Sequence, residues 1–92
     1  MNHKFMSKRE LIIELYSGHD DEGILFADGL DDAIIGFEPD SFRVVYSRSK
    51  VVDILAEDMD GDFDEASEFA EYNTFAAYVG ERTPIWVDDF NW

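Results

Sequence analysis

The stretch "AIIGFEPDSFRVVYS", residues 33–47, constrains this chain most. Two runs rich in β-branched and aromatic residues, near Ala33–Glu38 and Phe42–Ser47, flank Pro39-Asp40-Ser41. Proline presets the backbone for a turn, and the Asp and Ser side chains can bond their own backbone, so the pattern predicts a β-hairpin. On either side the periodicity changes to that of helices. Ser7 and Glu10 have the spacing of a capping box, and Leu11, Ile12, Leu15 and Tyr16 follow as an apolar stripe, with Gly18 as the stop. After the hairpin, Ser47 or Ser49 caps a second helix that runs to about Glu57. Val51, Val52, Ile54 and Leu55 form its apolar face, with Asp53 and Glu57 outward.

A third helix is predicted near Phe63–Tyr78. Asp62 and Glu65 have capping-box spacing, and Asp64 and Glu65 sit in the first turn, where the helix dipole favours negative charge. Gly80 is read as its end. "TPIWVDD" then predicts a last strand, with Ile85 and Val87 on one face and Trp86 on the other. Ile24–Phe26 fits a short strand or a helical turn, and Asp28-Gly29 marks a turn. The expected order is α-β-β-α-α-β: one α+β domain over residues 1–92, with a three-stranded, mainly antiparallel sheet and helices packed on one face. Residues 1–6 and 88–92 are the candidate loose termini, but Phe90 or Trp92 is expected to fold back on the domain or to sit in a partner, because two aromatics at an exposed end are otherwise a liability.

Charge narrows the function. The chain carries 22 acidic and 7 basic residues, a net charge of −15, which disfavours direct contact with nucleic acid or with anionic membranes. It favours a basic partner, divalent cations or plain solubility. At 46% hydrophobic the chain is too apolar to be disordered, and its 92 residues suit one small core. There is no cysteine, so neither disulfides nor thiolate metal sites are expected. The apolar runs fall short of the ~20 residues of a membrane span, and the polar start does not read as a signal peptide. A cytoplasmic protein is the expectation.

The acids cluster, with eight in residues 20–40 and nine in residues 53–71. "EDMDGDFDEASEF", residues 57–69, resembles the start of a calcium loop. With Asp58 at loop position 1, Asp60 and Asp62 fall at 3 and 5. Phe63 then stands where glycine is needed, and Phe69 where the closing Glu is needed. With Gly61 at position 6, Ala56 and Ser67 occupy the first and last ligand positions. Both registers fail, so no specific site is expected. Weak, exposed cation contact at Asp58, Asp60 and Asp62 is the most this stretch supports. His3 and the His19-Asp20-Asp21-Glu22 run are weak as metal signals. No phosphate loop or nucleophile–base pair is present, so neither an enzyme nor a cofactor is expected.

In the third helix Ala66, Phe69, Ala70, Ala76 and Ala77 share one face, with Asn73 in its middle. Asn73 is expected to be a buried amide bonded to backbone. Asp64, Glu68 and Glu71 form a stripe on the opposite face, with Phe75 close by. Phe75 reads either as packing near the helix end or as an aromatic anchor ringed by acids.

"SKRELIIELY", "DDAIIGF", "VVYSRSKVVDIL" and "DEASEFAEYNTFAAYVGERTPIWV" together resemble a family of small acidic proteins of bacteriophages and prophages. The family pattern includes an Asn-Thr element in an acidic helix, here Tyr72-Asn73-Thr74. It also has a closing Gly-Glu-x-Thr-Pro strand, here Gly80-Glu81-Arg82-Thr83-Pro84. The resemblance covers roughly residues 7–87. The acidic tail "DDFNW" departs from it. It implies a phage origin and an accessory role in an infected bacterium, and it carries no catalytic residues. The expected function is that of an interaction protein. It would bind a basic protein surface through Asp64, Glu68, Glu71 and Phe75, with Phe90 and Trp92 of the tail, and imitate nucleic acid toward a nucleic-acid-binding host factor or defence system. The alternative is a divalent-cation- or small-ligand-binding domain.

Overall fold

The computed structural model describes residues 7–17 and 23–90. Helix α1 spans Lys8–Ile12 and continues as a wider π-helical turn over Ile13–Ser17. Its start is the capping box read from the sequence: the Ser7 hydroxyl accepts the Glu10 N–H (3.1 Å), and the Glu10 carboxylate accepts the Ser7 N–H (3.0 Å). The expected stop at Gly18 lies outside the described residues. Residues 24–27 are neither strand nor helix but irregular chain. They lead through the Asp28-Gly29 turn to a short 3₁₀ turn at Asp31–Ala33.

The hairpin forms as expected, with β1 at Ile34–Glu38 and β2 at Arg43–Ser47. Glu38 braces its turn by accepting the backbone N–H and the hydroxyl of Ser41 (2.7 and 2.8 Å). The pairing is bulged. Ile34 faces Tyr46, but Gly36 faces Val45 and Phe37 faces Val44, so Ile35 is the extra residue. The bulge explains why "AIIGF" lacks strict alternation. Ile34 and Phe37, three positions apart, both share a face with Val44 and Tyr46, while Ile35 turns out at 39% exposed.

Strand β3, Ile85–Val87, lies beside β2 in the order β1-β2-β3. It runs parallel to β2, with Trp86 opposite Tyr46 and Val87 opposite Ser47. The sheet is therefore mixed, which corrects the mainly antiparallel expectation. A parallel neighbour needs a long crossover. Two helices, α2 at Arg48–Asp58 and α3 at Phe63–Phe69, with the extended return after them, supply it.

One hydrophobic cluster joins these parts. Ile12, Leu30, Ala33, Ile34, Val44, Tyr46 and Val51 are buried in it, and Ile54, Leu55, Phe75 and Trp86 pack around them. Each large side chain fully withdrawn from water contributes about 1.5–3 kcal/mol. Tyr46 is 0% exposed and keeps its hydroxyl satisfied by accepting the Ala27 N–H at 2.7 Å. This bond and burial tie the irregular segment 24–30 to the central strand. Burial pushes the Tyr46 phenol above its ordinary pKa. Helices α2 and α3 pack on one another, and the small residues Ala56 of α2, Ala66 of α3 and Ala70 just after it are all buried. Among the described residues no helix is long and apolar enough to cross a membrane.

Candidate functional site

The acidic connection between α2 and α3 is built from two helix caps. Asp60 adopts a left-handed conformation (φ 56°) and Gly61 follows at φ 79°. The Gly61 N–H returns to the Ala56 carbonyl at 2.8 Å, and the Met59 N–H to the same oxygen at 3.0 Å. This is the glycine-bearing closure of a helix C-terminus. Asp62 then caps α3, its carboxylate accepting the Glu65 N–H at 3.0 Å. Asp58, Asp60 and Asp62 are all exposed. Among the described residues no group of three or more His, Asp or Glu is arranged to hold a metal ion.

The third helix is shorter than its sequence suggests. After Phe69 it widens into a π-helical turn, Ala70–Thr74, closed by the Phe75 N–H on the Ala70 carbonyl (2.7 Å), and the chain then leaves the helix. Gly80 (φ 121°) does not end it but sits in the next turn. There the Gly80 carbonyl accepts the Thr83 N–H (3.1 Å) and hydroxyl (2.7 Å). The extra residue per turn rotates everything downstream, so the helical wheel fails past residue 70. Ala66 and Ala70 are buried as read, but Phe69, assigned to the same face and at the end of α3, is exposed, as are Ala76 and Ala77. Asn73 is exposed rather than buried, although its amide does donate to backbone, at the Phe69 carbonyl (3.2 Å).

The acidic stripe divides. Asp64 and Glu68 line a groove of about 510 Å³ together with Asp62, Glu65, Phe69, Tyr72 and Asn73. Phe69 is 42% and Tyr72 77% exposed there. Among the described residues no Lys or Arg forms an ion pair with Asp62, Asp64, Glu65 or Glu68. Glu71 belongs elsewhere. Its carboxylate pairs with Arg48 at 2.6 Å, and the same guanidinium stands 3.6 Å from Asp88 and 4.2 Å above the Phe75 ring. Phe75 is half-buried beneath that arginine, with its ring 5.4 Å from Trp86. It packs against the core instead of standing as an exposed anchor. The aromatics beside the free acids are Phe69 and Tyr72. Glu65 and Phe69 lie four residues apart within α3, a spacing that puts acid and ring side by side, whereas Tyr72 is brought to the groove by the wider turn that follows.

The tail is held by its acids. Asp89 accepts the hydroxyl of Ser47 at 2.5 Å, and Ser47 is itself 0% exposed and capped onto the Lys50 N–H (3.3 Å). The Ser47 hydroxyl bond, reinforced by Lys50 and Ser49, lowers the Asp89 carboxyl below the usual range. The tail is thus tethered, and the contact that holds it is made by Asp89. Phe90 stands 75% exposed, and Trp92 lies outside the described residues.

Two further grooves are apolar. One, about 450 Å³, lies between α1 and β1 and includes Leu11, Leu15, Tyr16, Ile35 and Phe37. The other, about 420 Å³, lies between residues 25–30 and the Ala77–Trp86 return. All four arginines are used inside the fold. Arg48 is placed as above, Arg9 pairs with Asp31 (3.0 Å), Arg43 donates to the Thr83 carbonyl (2.5 Å), and Arg82 lies over Phe42 (4.8 Å). No family model, no curated protein and no solved structure matches this chain.

Proposed function

We propose that this is a small acidic interaction protein, encoded by a bacteriophage or prophage, that binds a basic surface of another protein through the exposed side of α3. In this reading the partner's surface normally holds nucleic acid, and the protein inhibits it by imitation. The observation that carries the proposal is the α3 groove. Asp64 and Glu68 stand there without a cation partner among the described residues, beside the exposed rings of Phe69 and Tyr72. Interfaces concentrate aromatic anchors, and unpaired charge beside them supplies steering toward a basic partner. The net charge of −15 makes a basic partner the complementary one. The resemblance to phage and prophage proteins supports an accessory role in an infected bacterium.

The test is affinity capture from bacterial lysate with the wild-type chain and with D64N/E68Q. The expected result is a nucleic-acid-binding protein retained by the wild type, released by added DNA or RNA, and lost with the variant. Retention of the same protein by D64N/E68Q, unaffected by nucleic acid, refutes the proposal.

A further inference from the structure

Three Glu–aromatic pairs, each four residues apart in sequence, follow one another along α3 and the π-helical turn after it: Glu65–Phe69, Glu68–Tyr72 and Glu71–Phe75. The last is filled from within the fold. Arg48 lies 4.2 Å above the Phe75 ring while its guanidinium bonds the Glu71 carboxylate at 2.6 Å. A similar constellation recurs around Arg9. There Arg9 lies 4.6 Å over Phe26, 3.0 Å from Asp31 and 3.8 Å from Asp28. The Glu65–Phe69 and Glu68–Tyr72 pairs line the open groove and have no such cation among the described residues.

We propose that this groove takes an arginine side chain of the partner, with its guanidinium stacked on Tyr72 or Phe69 and hydrogen-bonded to Glu68 or Glu65. This rests on the reading of α3 as the binding surface, and it narrows the partner to a polypeptide segment that presents arginine. Coulomb attraction alone does not separate arginine from lysine, since both carry one positive charge. The ring does separate them. A guanidinium is planar and weakly hydrated, so it can stack on an aromatic face and bond a carboxylate at once, whereas an ammonium is a compact, strongly hydrated point charge. Asn73 helps to hold the groove's shape, because its amide is bonded to the Phe69 carbonyl (3.2 Å) on the groove wall.

The experiment uses two synthetic basic peptides, identical except that one carries arginine wherever the other carries lysine. Their affinities are measured by fluorescence anisotropy for the full chain, for F69L/Y72L, for Y72F and for D64N/E68Q. The wild type should favour the arginine peptide by roughly fivefold. The preference should persist in Y72F, which keeps the ring, and vanish in F69L/Y72L while both peptides still bind. D64N/E68Q should weaken both peptides, and the arginine peptide at least as much as the lysine peptide, because it also loses the Glu68 carboxylate bond. Equal affinity of the wild type for the two peptides overturns the inference and leaves the acidic surface standing, as does an undiminished preference in F69L/Y72L. Failure of the wild type to bind either peptide at low salt overturns both, as does binding indifferent to D64N/E68Q. The wild-type comparison decides the matter even if F69L/Y72L does not fold.

Discussion

Replacing Ser47 by alanine removes one oxygen atom from a position where three elements meet. Ser47 is the last residue of β2, the N-cap of α2 and the anchor of the chain beyond β3. Its single hydroxyl hydrogen goes to Asp89 at 2.5 Å, which leaves its lone pairs for the Lys50 N–H (3.3 Å) and the Ser49 hydroxyl (3.1 Å). The side chain is 0% exposed, so water cannot replace what is lost. Loss of a serine N-cap costs about 1 kcal/mol, within a range of about 0.5–2. The loss of the Asp89 contact adds in the same direction. For a domain of this size each 1 kcal/mol lowers Tm by about 4–8 °C, so S47A should melt at least about 2 °C below wild type, and about 4–8 °C below it at the typical cap cost. Circular dichroism melts and urea titrations measure this. S49A removes only the exposed Ser49 hydroxyl at the edge of this network and should cost less than S47A. A double-mutant cycle of S47A with D89A then isolates the tail contact. If S47A costs less than about 0.5 kcal/mol, or if the two changes add without coupling, Ser47 is not the joint described here.

Tyr46→Phe leaves the Ala27 N–H without its acceptor and should destabilise by about 1–2 kcal/mol, read from the urea midpoint at unchanged m-value. Lowered carboxyl pKa values at Asp89, Glu10 and Glu38 mean that the folded state binds fewer protons than the unfolded state. Their stabilisation is complete above the ordinary carboxylate range, about pH 4, and is lost as pH falls through the lowered values. Melts between roughly pH 2 and 5 should therefore show stability falling with acid, and D89N should flatten part of that slope. D64N/E68Q should leave Tm unchanged, because exposed charges contribute little, while salt-sensitive partner binding falls. E71Q differs from that pair: it should shift the Arg48 side-chain N–H resonance in NMR spectra, which D64N/E68Q leaves in place.

Local signals were enough for the parts of this protein that local chemistry decides. The capping box at Ser7 and Glu10, the hairpin about Pro39-Asp40-Ser41, the cap at Asp62 and the cap of α2, left between Ser47 and Ser49 by the sequence and made by Ser47, each depend on residues a few positions apart. The α+β class and the order of elements follow from those signals. The split of the acidic stripe was not legible, because Glu71 is claimed by Arg48, 23 residues away, and no helical wheel carries that information. The same contact covers Phe75 and leaves Phe69 and Tyr72 as the rings beside the unpaired acids. Only the packing of α3 against α2 could decide which acids were neutralised. The wider turn at Ala70–Thr74 likewise broke the 3.6-residue phase on which the face assignment of Asn73, Ala76 and Ala77 had rested. The direction of β3 was also a tertiary choice. "TPIWV" has the period of a strand in either orientation, and the return of the chain after α3 determined that it runs parallel to β2. The sequence alone determined how much negative charge the surface carries. The tertiary structure decided which part of that charge remains available to a partner, because the chain's own arginines reach only the acids that the fold brings within a few ångströms of them.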